Sequence, residues 1–376
     1  MVTRPARKIR FAVAGSGWRA LFYVRAAKSL PTWFELTGVL CRTPEKASAF
    51  GAEHGVYAVA TLEELLEAQP EFVVSCVNKA GMARMVVRLM EAGVPVLSET
   101  PLALDVPTLR EIYAAQRRTG TLLELAEQYF LWPTHAARRA VIDRGLLGET
   151  VSCWLSMAHD YHAVSLLRFY LNPDESRVAI CARQTKTPIV MTGGRGGYVT
   201  DGQTGEEIRT FAQLDYADGK LGLYDFSGTQ YHSAIRSSHI RVLGTRGEIF
   251  DDTVRYLDGE NRPREARLSV HRDVITGTIR SIDFDGERVY VNPFPGEAAM
   301  SEDEIAVAEV ICRMGTCVVR EGKRFYREGY RDAYLSALML AALQTGGRAV
   351  SERMEWDRPD RPESPVFCAE ISDEVD

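Results

Sequence analysis

The residues best suited to chemistry begin at Gly15-Ser16-Gly17-Trp18-Arg19-Ala20, a G-x-G-x-x-A run between the apolar stretch Ile9–Ala14 and a helical pattern. In that setting Gly15 permits a tight turn and Gly17 leaves room for a pyrophosphate against the backbone. Ala20 allows close helix–strand packing, and the helix N-terminus offers N–H groups and a positive dipole end to the anion. The competing reading is a glycine-rich turn that binds nothing. A second cluster, His159-Asp160-Tyr161-His162, puts several proton carriers within four residues at the start of a later helix. Imidazole, with an unperturbed pKa of about 6.5, suits proton exchange with a hydroxyl. The bland alternative is a helix-capping cluster.

The second apolar run ends Val39-Leu40-Cys41-Arg42-Thr43, so Cys41 stands where an NAD binder usually carries an acid for the ribose 2′-hydroxyl. Arg42 can meet a 2′-phosphate with a bidentate, charge-assisted pair, and Thr43 adds a hydroxyl. NADP(H) is therefore the expected cofactor. NAD(H) is the alternative, with Arg42 solvated or stacked on adenine.

These residues need a scaffold, and the periodicity supplies one. Apolar runs at Ile9–Ala14, Phe34–Cys41, Phe72–Val77, Val94–Ser98 and Leu122–Ala126 alternate with helical patterns at Arg19–Ser29, Pro44–His54, Leu62–Glu67, Ala83–Ala92 and Val106–Arg118. Strands apolar throughout and separated by helices predict a doubly wound parallel sheet. After a helix near Thr134–Arg144 the character changes to alternating strands at Val151–Ser156, Arg177–Arg183, Arg209–Tyr216, Lys220–Gly228, Ser238–Leu243 and Arg288–Val291. Two helices, Glu302–Arg320 and Gly329–Gln344, close this part, which reads as an α+β domain with an open, mostly antiparallel sheet. The fold class is α/β overall. The expected domains are 1–130 for the cofactor, 131–352 for substrate and assembly, and 353–376 as a Pro-, Asp- and Glu-rich tail.

Composition narrows the partners. The 376 residues carry 45 Lys+Arg against 51 Asp+Glu, a net charge of −6 that argues against a nucleic-acid binder. At 45% apolar the chain is too rich in core residues for disorder, and no apolar run approaches the ~20 residues that span a bilayer. Seven scattered cysteines without a C-x-x-C pair read as reduced thiols in a cytoplasmic protein. His232, His239 and His271 have no metal-ligand spacing, so no metal is expected. Ser233, Ser237 and Ser238 lack the G-x-S-x-G setting of a serine hydrolase. The loop Met191–Tyr198 reads as a surface loop; the alternative is a hairpin or lid whose Arg195 reaches an anionic substrate.

The order of motifs resembles the glucose–fructose oxidoreductase, inositol dehydrogenase and rhizopine-catabolism (Gfo/Idh/MocA) family of NAD(P)-dependent oxidoreductases. The resemblance runs from the glycine loop through "RTPEKA", "TLEELLEAQPEFVVSCV", "LMEAGVPVLSETPLA", "VIDRGLLGETVS" and "VLGTRGEIF" to about Val350. It implies a Rossmann domain, then an α/β domain whose sheet forms a homodimer or homotetramer interface. It also implies hydride transfer at an alcohol or carbonyl carbon of a sugar, polyol or related compound.

Three departures fall on the chemistry. Glu99-Thr100-Pro101 stands where the family has Glu-Lys-Pro, and Thr100 hydrogen-bonds but cannot titrate near neutrality. Around Val77-Asn78-Lys79, Asn78 and Met82 replace the family's Pro and His, while Lys79 stands at a strand's carboxyl end as a displaced lysine or a surface residue. His162 matches the family's histidine, but Ala158 and Ser165 occupy its aspartate positions, and Asp160 is two residues from His162.

The resulting expectation is an oxidoreductase with non-standard catalytic residues, His162, Lys79 and Tyr161. The cofactor would be held by Gly15, Ser16, Gly17, Trp18, Arg19, Arg42, Thr43, Val77, Asn78, Glu99 and Thr100, and the substrate by Glu127, Gln128 and Asp160. The alternatives are a cofactor-binding protein without redox turnover, or a glycoside-processing enzyme that uses bound NAD(H) transiently.

Overall fold

The structure, a computed structural model, describes residues 4–175, 177–194, 196–294, 298–319, 329–345, 348–352 and 369–372. It divides into two compact units. The first comprises Met1–Ala136, Val270–Ile282 and Tyr290–Ala333, and the second Ala137–Ser269, Asp283–Val289 and Tyr334–Asp376.

The first unit is built on a six-stranded parallel sheet of β1 (Ile9–Ala14), β2 (Phe34–Leu40), β3 (Ala58–Val59), β4 (Phe72–Ser75), β5 (Val96–Ser98) and β6 (Leu123–Leu125), ordered β3-β2-β1-β4-β5-β6. Phe11, Val13, Phe72, Val74 and Leu97 are fully buried, as apolar-throughout strands covered on both faces require. Helices α1 (Ala20–Ser29), α2 (Pro44–His54), α3 (Leu62–Glu67), α4 (Lys79–Glu91) and α5 (Val106–Thr119) make the crossovers. The strand order reverses between β1 and β4, so the carboxyl ends of these two strands flank the crevice where such sheets bind ligands. The periodicity misses β3, which has two residues. It also starts α4 too late, because the helix begins at an Asn cap: Asn78 Oδ1 accepts from Gly81 N–H at 2.9 Å.

Helix α8 (Glu302–Val319), read from the sequence as closing the second domain, belongs to the first unit. Ile305, Val307, Val310 and Ile311 are buried there, and Glu304 accepts from Arg25 Nε at 2.6 Å. Gly315 lets the helix approach β1. A Cβ on it would meet three side-chain carbons of buried Ile9 at 2.7, 2.8 and 2.8 Å. Gly315→Ala is therefore expected to destabilise the protein by roughly 1–3 kcal/mol from overpacking, less up to about 1 kcal/mol of gained helix propensity. A lower urea midpoint at unchanged slope would show it, and a raised midpoint would refute the close approach.

In the second unit, β7 (Thr150–Ser156) pairs in parallel with Leu221–Ser227 and antiparallel with His239–Gly244. Antiparallel pairing continues outward from both, through Thr204–Tyr216 and β8 (Arg177–Val190) on one side and Gly247–Phe250 and Thr253–Leu257 on the other. Helix α7 (Asp160–Leu171) lies on one face, where a Cβ on Gly222 would come 3.0 Å from Leu167. The strands Gly247–Phe250, Thr253–Leu257, Pro263–Arg272 and Ile279–Phe284 are not apparent in the sequence. Part of the reason is an exposed ladder of charge: Arg241, Glu248, Arg255 and Glu265 pair across neighbouring strands at 2.7–3.2 Å and mask the alternation. Of the tail 353–376, residues Ala369–Ser372 form a strand beside Arg348–Glu352, and the remainder lies outside the described residues, as does Arg195. Among the described residues no helix is long and apolar enough to cross a membrane.

Candidate functional site

A cleft of about 870 Å³ opens at the carboxyl ends of β1, β2 and β4, lined among others by Gly15, Ser16, Gly17, Cys41, Arg42, Val77 and Asn78. Gly15 forms its floor at φ 127°, and a Cβ there would lie 2.5 Å from the Cys76 carbonyl oxygen. A Cβ on Gly17 would meet no protein atom within 4 Å. The two glycines therefore serve different ends, one fitting the chain to itself and the other keeping its surface open. Cys76, also lining the cleft, is a buried thiol whose pKa is pushed well up by burial and then by Glu99, which keeps it neutral and unreactive.

Positive charge gathers in the lining of the cleft. Arg42, Lys46, Arg84 and Arg88 all line it, and Glu63, the carboxylate among the lining residues, accepts from Arg88 Nη2 at 2.9 Å. The sequence pointed to Arg42; Lys46, Arg84 and Arg88 were missed because their clustering needs α2 and α4 in place. Thr43 spends its hydroxyl on capping α2, accepting from Lys46 N–H at 3.3 Å. Trp18 is 54% exposed and packs edge-on against Phe22 at 4.7 Å.

Other expected cofactor residues are engaged with one another. Glu99, 5% exposed, accepts from Arg19 Nε and Tyr23 Oη, both at 2.6 Å, and from the Thr100 N–H at 3.2 Å. Arg19 also pairs with Asp303 at the start of α8, and Asp303 accepts from Gln128 Nε2 at 3.0 Å and Trp132 Nε1 at 3.3 Å. Burial opposes the Arg19 charge, but Glu99 and Asp303 overcome it and hold the guanidinium protonated. Burial first, then Glu99, pushes the Tyr23 phenol up. Glu127 is 1% exposed and accepts from the Tyr129 N–H at 3.1 Å. Lys79 is an exposed residue in the first turn of α4 and is not among the residues lining the cleft.

In the second unit, β7 and α7 position the proton carriers. His162 is buried, with the Tyr161 ring 4.4 Å from its own. Asp160 accepts from Ser336 Oγ at 3.4 Å. Tyr231, which nothing in the sequence marks, lies beside His159, its phenol oxygen 2.8 Å from Nδ1. Elsewhere Ser237 Oγ, His239 and Asp251 line up at 2.7 and 3.0 Å. That relay lines neither the cleft nor the shallower 410 Å³ hollow on the sheet, and it pins the start of a strand to a turn whose Asp251 also accepts from Ile240 N–H at 3.0 Å. Among the described residues no group of three or more His, Cys, Asp or Glu converges as metal ligands would.

Comparison with known proteins agrees with this architecture. An L-aspartate dehydrogenase from Ruegeria pomeroyi is 35% identical over 120 residues, covering 32% of this chain and 42% of that protein. An NADP(+)-dependent scyllo-inositol 2-dehydrogenase from Bacillus subtilis is 28% identical over 117 residues, covering 31% and 35%. The matched stretch thus spans less than half the length of these relatives. An oxidoreductase from Agrobacterium radiobacter, solved with NAD+, L-tartaric acid and magnesium, shares the fold with a TM-score of 0.65 at 14% identity, over 91% of this chain and 98% of that one. Residues 9–126 match the model of the GFO_IDH_MocA oxidoreductase family, described by its NAD-binding Rossmann fold.

Proposed function

We propose that the chain is an NADP(H)-dependent oxidoreductase that moves hydride to or from an alcohol or carbonyl carbon of a small polyhydroxylated compound, a sugar or a sugar-like metabolite. The observation that carries this reading is the cleft at the strand-order reversal, with its open Gly17 and its four lining cations. Gly15, Ser16 and Gly17 would hold the pyrophosphate at the start of α1, and Arg42, Lys46 and Arg84 would meet a 2′-phosphate. When bound, the nicotinamide supplies or takes the hydride. Residues 1–130 would then serve the cofactor, and 131–352 the substrate and a homodimer or homotetramer in the cytoplasm. Lys79, Tyr161 and His162 remain candidates for proton exchange in place of the family's lysine. Thr100 favours one second reading, a protein that binds the cofactor and does not turn it over.

Fluorescence titration with NADPH and NADH tests the cofactor assignment. Arg42→Ala is expected to weaken NADPH by about 10- to 100-fold, the worth of one charge-assisted phosphate contact, and NADH by no more than about threefold. Equal losses for both would remove the 2′-phosphate role. Steady turnover of NADPH or NADP+ with a panel of inositols, aldoses and their keto forms would exclude the binding-only reading.

A further inference from the structure

One carboxylate lines the cleft of the first unit, and it does not stand where an NAD binder usually carries its acid. That place, after β2, belongs to the buried thiol of Cys41. Glu63 arrives instead from the start of α3, just after β3, which pairs with β2 and whose Val59 carbonyl accepts the Cys41 N–H at 2.8 Å. The chain sets this placement locally. Thr61 caps α3 reciprocally with Glu64, whose carboxylate takes the Thr61 N–H at 3.2 Å and is occupied there, while Glu63 between them lines the cleft.

Arg88 reaches Glu63 from α4, Nη2 donating to Oε1 at 2.9 Å. The two side chains are 53% and 73% exposed, and an ion pair this exposed adds little to stability. Its effect falls on the charge of the cleft. Arg42, Lys46 and Arg84 are exposed and have no carboxylate partner among the described residues, whereas Arg88 is held. The N–H of Glu63 itself holds the carboxyl below its usual range, against a smaller opposing effect of desolvation, and Arg88 adds to this. Glu63 is therefore ionised at neutral pH. A carboxylate has about four acceptor sites, so the bond from Arg88 leaves capacity for a ligand hydroxyl.

We propose that Glu63 is the specificity-determining residue at the adenosine ribose and that Arg88 is its positioning residue, an inference that rests on the dinucleotide reading above. Toward NADH, Glu63 is the acceptor for the 2′-hydroxyl, the part that an acid in place of Cys41 would play. Toward NADPH, it is a like charge beside a 2′-phosphate of about −1.5 to −2, and it keeps Arg88 from joining Arg42, Lys46 and Arg84 there. A carboxylate and a phosphate dianion about 6 Å apart in water repel by the equivalent of about tenfold in Kd. Glu63 thus narrows the gap between the two cofactors from both sides, and the cleft takes either.

Fluorescence titration with NADPH and NADH at low salt tests this, because the two affinities are expected to move in opposite directions. Glu63→Ala should tighten NADPH by about five- to tenfold and weaken NADH by about three- to tenfold. Glu63→Gln removes the charge and keeps a carbonyl acceptor, so it should tighten NADPH equally and cost NADH no more than about threefold. Arg88→Met should weaken NADPH by about five- to tenfold and leave NADH within about twofold. The NADPH effects should fall below about threefold at 0.5 M salt, while the urea midpoints stay at the wild-type value. A Glu63→Ala variant whose two affinities move together, or whose NADPH affinity stays within twofold of wild type, would overturn the assignment. Wild-type protein that binds neither NADPH nor NADH would overturn the dinucleotide reading itself.

Discussion

Alanine at Gly15 is expected to cost the fold about 3 kcal/mol or more and to abolish dinucleotide binding, whereas alanine at Gly17 leaves the fold intact and weakens the dinucleotide alone. At Gly15 the backbone lies at φ 127°, outside what an L-residue takes readily, and the new Cβ would sit 2.5 Å from the Cys76 carbonyl oxygen. Backbone strain of this kind costs roughly 1–3 kcal/mol, and the clash adds to it because a buried strand end cannot move aside as a flexible side chain would. At Gly17 a methyl meets no protein atom within 4 Å. It would instead take the space in which a pyrophosphate approaches the backbone, so about 10- to 100-fold in Kd is expected, equivalent to roughly 1.4–2.8 kcal/mol. Urea unfolding of the two apo variants, followed by NADPH titration, separates the cases. A Gly15→Ala midpoint equal to wild type, or a Gly17→Ala variant with wild-type affinity, would contradict the division of labour.

Arg19→Met is expected to destabilise the protein by about 3–5 kcal/mol, because it leaves the buried Glu99 carboxylate without its guanidinium partner. Glu99 would keep the Tyr23 hydroxyl and the Thr100 N–H, which soften the loss without matching the charge. Asp303 loses a partner in the same step and keeps Gln128 and Trp132. Adding Glu99→Gln to Arg19→Met should restore part of the loss, with a coupling of roughly 0.5–3 kcal/mol in a double-mutant cycle. A single-variant loss below about 1 kcal/mol would mean that the pair behaves as a screened surface bridge.

The sequence is most legible where chemistry and backbone coincide. The glycine loop is legible as a strand–turn–helix junction because its three small residues lie within six positions, between one strand and one helix. Arg42 reads from its place after β2, but its companions Lys46, Arg84 and Arg88 come from two helices whose relation to β2 only the folded sheet sets. Arg19 and Glu99, expected at the cofactor, pair with each other across 80 residues, since two opposite charges in a poorly hydrated place satisfy one another. Tyr231 is illegible for the same reason, as 72 residues separate it from the histidine it meets. The strands from Gly247 to Arg272 are obscured in part by cross-strand arginine–glutamate pairs on their exposed face, which hydropathy reads as loop.

Helix α8 bears on the order in which the chain acquires structure during synthesis. The sheet of the first unit is complete in sequence at Leu125, yet Ile9 lies against Gly315, and Arg19 bonds Asp303 across 284 residues. At roughly 5–20 residues per second, synthesis takes about 9–35 s to pass from the end of that sheet to the helix that covers it. For that interval the flank of β1 and α1 that receives α8 is without its cover, and the half-buried Arg19 and the buried Glu99 have each other but not Asp303. Loop closure over such a span makes the docking of α8 a late event, so the first unit matures only after most of the second unit has been made.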